Sequence, residues 1–237
     1  MILTAHQPAY LPWLGLFHKI SISDIYVFMD DVRYSKSDFS NRNKIYDKNK
    51  HKEDWLTIPL YNGGKSGALF NNIILDKSNK WRKNHLGKIM SNYSKTPYFK
   101  EYFIEIRDII NGQYEYFSDL TYDLLLYFIY VLGVEVKIYK ASSLCIGSTG
   151  NQYLIDICTK LKADKYIFGE QGIKYADIEA FNKSGINVVF QKYNHPVYNQ
   201  SGEYFLPYMS IIDLLFNNGQ DSYDILMSGN TTDICIK

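Results

Sequence analysis

The last hundred residues restrict the folds open to this chain more than any other stretch. Three short apolar runs, at 134–139, 165–168 and 187–191, alternate with segments of helical period at 152–161 and 175–184. Strands joined through a helix run parallel, because the crossover returns the chain to the starting end of the sheet. A parallel sheet must be covered on both faces, so an α/β fold follows: a mainly parallel sheet with helices on both sides. Upstream, 1–6 and 24–29 read as buried strands joined by a short helix at 14–21. The segments 55–60 and 68–75 flank Asn-Gly-Gly-Lys-Ser-Gly and predict a small β-hairpin. Helices are expected at 80–93, 98–110 and 114–132, a helical insertion, and the apolar tail at 207–217 reads as one more. With 237 residues, no repeat and no low-complexity linker, the chain is expected to be one domain over 1–237, with a helical subdomain near 79–132.

Composition narrows the class of function. The longest apolar run, 124–134, is shorter than the ~20 residues a bilayer span needs. The first residues lack the basic and apolar regions of a signal peptide, so a cytoplasmic protein is expected. Cys145, Cys158 and Cys235 are far apart and odd in number, which suits a reducing compartment and offers no metal-ligand spacing. A formal net charge of +1 argues against a broad nucleic-acid surface. No cofactor is indicated.

Parallel sheets bind ligands outside the carboxyl ends of their strands. Four predicted strands end in unusual loops: His6 after the first, Asp30 and Asp31 after the second, Gly169-Glu170-Gln171-Gly172 after 165–168, and Tyr193-Asn194-His195 after 187–191. Together they predict a single site. The first of these loops continues Gln7-Pro8-Ala9-Tyr10-Leu11-Pro12-Trp13, and its two prolines would hold it in one conformation. His6 is the candidate general base, since imidazole exchanges protons near neutral pH. Glu170, which can accept protons from a sugar hydroxyl or amine, and His195 complete the catalytic set. His18 reads as structural, and His51 and His85 as solvated. In the block after Asp31, Arg42 and Lys36 suit a phosphate or carboxylate. Asn41, Asn43, Gln7, Gln171 and Asp31 are expected to read polar substrate groups, and Tyr10, Trp13 and Tyr198 to stack on sugar rings. Asn-Gly-Gly-Lys-Ser-Gly is not a P-loop, because Pro59 stands where the first glycine belongs.

The blocks HQPAYLPWLGLFHKI, DVRYSKSDFSNRNKI, WLTIP, FGEQGIKY, YNHPVYNQ and LPYMSIIDLLFNNG, in this order, resemble the WbqC-like family over essentially the whole chain. That family occurs in gene clusters for bacterial O-antigen and other surface polysaccharides. The resemblance therefore implies a pathway that makes nucleotide-linked amino sugars carrying acyl or aminoacyl groups. The expected activity is a transferase that acylates, or aminoacylates, the amine of such a sugar. Its donor would be an acyl-CoA, an acyl adenylate or a charged tRNA. Two alternatives stand beside it. One is a nucleotidylyltransferase-like enzyme, although the second histidine of an HxGH pair is missing from Pro12-Trp13-Leu14-Gly15. The other is a non-catalytic nucleotide-sugar binding protein of the same pathway.

Overall fold

The computed structural model describes residues 1–36, 38–61 and 67–229. The chain begins β1 (Ile2–His6), α1 (Leu14–Ser21), β2 (Ile25–Phe28), β3 (Arg42–Asp47) and β4 (Lys52–Thr57). Three helices follow, α2 (Lys80–Tyr93), α3 (Phe99–Asn111) and α4 (Phe117–Val131). The second half alternates β5 (Lys137–Lys140), α5 (Gly150–Lys160), β6 (Lys165–Phe168), α6 (Ile178–Lys183) and β7 (Asn187–Phe190), then ends in α7 (Ile211–Asn218) and α8 (Ser222–Ser228). Among the described residues no helix is long and apolar enough to cross a membrane.

The fold is α/β. Its main sheet has the order β5-β2-β1-β6-β7, and every neighbouring pair is parallel. Counted along the chain, the sheet strands stand as 3-2-1-4-5, the order of a doubly wound sheet, and the direction of winding reverses between β1 and β6. Alternation along the strands supplies two cores. Leu3, Ala5, Ile25 and Val27 pack with Ile157 and Cys158 of α5 and Phe181 of α6. Tyr26 and Phe28 point to the other face, where Phe17 of α1, Phe128 of α4 and Phe216 of α7 meet them. In α3 the buried positions Tyr102, Phe103, Ile106 and Ile110 recur at helical spacing and form the stripe that packs on α4.

The small hairpin exists, but its strands are not the expected ones. β4 pairs antiparallel with β3, from Arg42 opposite Thr57 to Asp47 opposite Lys52. The expected partner of 55–60 contributes only a bridge, Leu60 opposite Leu75, and much of it is a short 3₁₀ turn at Phe70–Asn72. The glycine-rich turn expected between them lies, at 62–66, outside the described residues. β3 reads as Arg-Asn-Lys-Ile-Tyr-Asp with its first half only partly buried, so it lacks the alternation that marks a strand in sequence. The tail helix begins at Ile211 rather than 207, and α8 follows it where no element was expected.

Candidate functional site

The loop after β1 is held under strain by partners remote in sequence. Leu11 takes φ 45°, a left-handed backbone that an L side chain rarely adopts. Its carbonyl accepts from Asn43 Nδ2 at 2.5 Å, and the Tyr10 amide donates to the Ser40 carbonyl at 2.7 Å. Gln7 Nε2 donates to Asp38 Oδ2 at 3.1 Å and to Ser40 Oγ at 3.2 Å. Pro12 accepts from the Ile211 amide, and Trp13 bridges to Ser210, so the start of α7 fixes the entry to α1. The prolines remove donors where none is needed, and two remote segments, 38–43 and 210–211, clamp what remains.

This loop rims a cavity of about 1370 Å³ that opens beside the carboxyl ends of β1 and β6. At its floor, His6 Nδ1–H donates to the Gln7 carbonyl at 2.7 Å. That bond leaves the Nε2 lone pair without a bond to any described residue. Burial first, and then the neighbouring Lys19 charge, depress the imidazole to about 3, so His6 is neutral at physiological pH. Trp13 meets the His6 ring edge-on at 5.3 Å between centroids. From α1, Gly15, Leu16 and Lys19 share the helix face turned to the cavity. Lys19 is buried, donates to the Ala5 carbonyl at 3.1 Å, and has its pKa lowered by that burial to about 8.

The opposite walls come from the ends of the other strands. Asp31 accepts from the Tyr153 hydroxyl, and burial raises its carboxyl pKa in spite of that bond. Its neighbour Asp30 is buried, with both oxygens occupied by the Ser142 amide at 2.9 Å and hydroxyl at 2.6 Å. Asp30 therefore fastens β2 to the turn after β5. Gly147, Ser148, Thr149 and Gly150 lead into α5 along the cavity wall, and Thr149 caps that helix with no side-chain bond. The amides of such a first turn have no intrahelical acceptor. Glu170 and Gln171 stand exposed at the mouth after β6. His195 also lines the cavity, but Nδ1–H donates to the Pro196 carbonyl at 2.9 Å and Nε2 accepts the Tyr208 amide at 3.0 Å.

Residues 7–225, from the clamped loop into α8, match the model of the WbqC-like protein family. The chain belongs to the WbqC-like family. It is 29% identical over 222 residues to a Mycobacterium tuberculosis protein described as uncharacterized protein Rv1507c, an alignment covering 93% of this chain and 95% of that one. No solved structure matches the chain.

In this WbqC-like protein the cavity brings together His6, Gln7, Trp13, Asp31, Glu170, Gln171 and His195. His195 arrives from the edge strand β7, two positions from β1, rather than from a central strand. Six other candidates do not line the cavity. Tyr10 is fully buried with its hydroxyl 3.0 Å from His85 Nδ1. Tyr198 is buried and donates to Asp213 Oδ2 at 2.8 Å. Both rings are therefore core packing, closed to a sugar. Arg42 lies over Phe39 and Trp55, 5.0 and 5.4 Å from their centroids. Asn41 Nδ2 donates to the Ile58 carbonyl at 2.8 Å, Asn43 holds Leu11, and Lys36 is exposed in a turn. Because 42–47 is a hairpin strand rather than a ligand loop, this block braces the site from outside. His85, expected in solvent, is buried against Trp81 with its pKa lowered to about 4.

Sequence reasoning passed over Lys19, Tyr153 and the Gly147–Gly150 turn. A signal for Lys19 was present: it lies four residues after Gly15, and so on the same face of a helix that is otherwise almost wholly apolar. Gly15 is small for a reason, since a Cβ there would come within 3.1 Å of the Trp13 indole nitrogen.

Proposed function

We propose that the cavity binds a nucleotide-linked amino sugar and that the protein transfers an acyl or aminoacyl group to the sugar's amine. The observation that carries this reading is the neutral His6, with its Nε2 lone pair unbonded, at the switch point of a 3-2-1-4-5 sheet. Family membership supports it through the pathway that the resemblance implies. The cavity supports it by size: about 1370 Å³ exceeds the roughly 300–1,000 Å³ that holds one drug-sized ligand, and it leaves room for a donor beside the acceptor.

In this mechanism the amine nitrogen attacks the acyl carbonyl carbon and the new C–N bond forms. His6 Nε2 takes the proton the nitrogen sheds. The bond from the carbonyl carbon to the donor's sulfur or oxygen breaks, and the leaving group departs with the electron pair and recovers the proton from His6. An imidazole held near pKa 3 is a weak base in the empty cavity. The negative charge of a bound nucleotide would offset Lys19, the smaller of the two depressing causes, and so make the imidazole a stronger base than it is in the empty cavity. Trp13 and Gln7 border the place where the sugar would lie, and Glu170 and Asp31 accept from its hydroxyls or amine. His195, with both nitrogens bonded, acts by positioning the 193–208 segment.

The test is incubation with a panel of nucleotide-amino sugars and donors: acyl-CoA, carboxylic or amino acids with ATP, and charged tRNA. Mass spectrometry should report an added acyl or aminoacyl mass on one sugar nucleotide. A sugar nucleotide retained at unchanged mass with every donor would instead assign the protein to binding.

A further inference from the structure

Lys19 is an unusual group to find in this cavity. Its side chain is about 5% exposed, yet no carboxylate forms an ion pair with it among the described residues. An ammonium has three N–H donors, and here one bond, to the Ala5 carbonyl, is what the described residues supply. A buried cation without a counter-charge destabilises the folded chain, so its retention on a wall of a large cavity calls for another explanation.

The groups around it do not neutralise it. His6 on β1 is neutral and titrates under the influence of Lys19. Tyr166 on β6 and Tyr193 after β7, which line the same cavity, have phenols pushed upward by burial, so they are uncharged. His18 beside it on α1 meets Gln191 Nε2 through Nδ1 at 2.8 Å. Helix α8, packed along α1, carries Tyr223 and Asp224, and neither is bonded to Lys19. Asp31, Asp38 and Glu170 share the cavity without reaching the ammonium.

We infer that Lys19 is the anchor for an oxyanion of the ligand, a phosphate or carboxylate oxygen that fills the donors left over from its bond to Ala5. The first turn of α5, which lines the same cavity with its amides uncapped by a side chain, adds a second set of donors suited to the same charge. The inference rests on the reading of this cavity as the substrate site, and is independent of whether acyl transfer takes place there. Burial lowers the Lys19 pKa to about 8, and a bound oxyanion would act against that shift. In the empty protein the ammonium gives up its proton as pH rises past about 8, and an arriving oxyanion restores it.

Proton-linked calorimetry tests this. Uridine diphosphate, adenosine diphosphate, pyrophosphate, uridine and acetate are titrated near pH 8.5 in buffers of different ionisation enthalpy. The wild-type protein should bind at least one oxyanion with uptake of between half a proton and one. Pyrophosphate and the diphosphates mark a phosphate site, and acetate alone marks a carboxylate site. Lys19→Arg should bind within several-fold of wild type with the uptake abolished, because a guanidinium stays charged. Lys19→Met should lose tenfold or more in affinity while melting no lower than wild type. Binding of every oxyanion unaltered in Lys19→Met, uptake that persists in Lys19→Arg, or no oxyanion bound by wild type at millimolar concentration would each overturn the assignment. If Lys19→Met fails to fold, wild type and Lys19→Arg still decide. Proton-linked binding without turnover on any donor would separate this inference from the transfer reaction, which would then be the part that fails.

Discussion

His6 and Lys19 line the same cavity, and the charge on the lysine helps hold the histidine neutral. Neither residue has an opposing carboxylate, so the pair is balanced by burial alone until a ligand arrives. This relation makes the site respond to pH on two sides and to an anion in the middle.

On the acid side, a folded-state pKa depressed from 6.5 to about 3 at His6 means that the unfolded chain binds the proton more readily. Stability is therefore full above pH 6.5 and is lost as pH falls through that window toward 3. His85, lowered to about 4, adds to the same loss. His6→Asn should flatten part of this slope in urea melts taken between pH 3 and 7. An unchanged slope would show that His6 is not desolvated.

At neutral pH the same substitution probes chemistry. His6→Asn keeps a hydrogen-bonding shape, so the melting temperature should move little. Turnover per folded molecule should fall by about two orders of magnitude or more. Full specific activity would remove His6 from the mechanism.

On the alkaline side, Lys19 falls from 10.5 to about 8 on folding, so the folded state is penalised below pH 8 and relieved as pH rises toward 10.5. The penalty at pH 7 is about 3 kcal/mol. Lys19→Met should raise stability at pH 7 by up to that amount and abolish the rise between pH 8 and 10.5, as read from denaturant midpoints.

Arg42 separates bracing from binding. It stacks on Phe39 and Trp55 outside the cavity, so Arg42→Ala should cost about 1 kcal/mol of stability and leave sugar-nucleotide affinity unchanged. A fall in affinity by calorimetry, with the fold intact, would bring the 41–43 block back into the site.

Tyr198 and Asp213 give the matching contrast in the core. Asp213 is fully buried and accepts from Tyr93 at 2.7 Å, Tyr198 at 2.8 Å and Gln200 at 2.7 Å. Tyr198→Phe should lower stability by roughly 1–2 kcal/mol with KM unchanged, and Asp213→Ala by roughly 3 kcal/mol or more, since it strands three donors. Melting curves beside KM values read both.

Much of the architecture was legible because it is written in short-range patterns. The α1 octet, the stretch Lys80–Tyr93 and the run Lys165–Phe168 form where their periodicity places them, since a buried helix or strand face is mostly apolar. The gathering of His6, Asp31, Glu170 and His195 at one edge follows from parallel strands alone, which bring all their carboxyl ends to the same side. What tertiary structure decided were relations between residues far apart in the chain. β3 became a strand through its ladder to β4, and Asn43 within it and Asn41 just before it became clamps because Leu11 and Ile58 present carbonyls to them. Tyr10 left the site because His85, 75 positions away, holds its hydroxyl. Lys19 became a site residue because folding buries it on the cavity wall against the carbonyl of Ala5, with no ion pair to a described carboxylate. Periodicity reports which face of an element is covered; the groups that cover it, and so the pKa and the role of a polar side chain, depend on long-range packing.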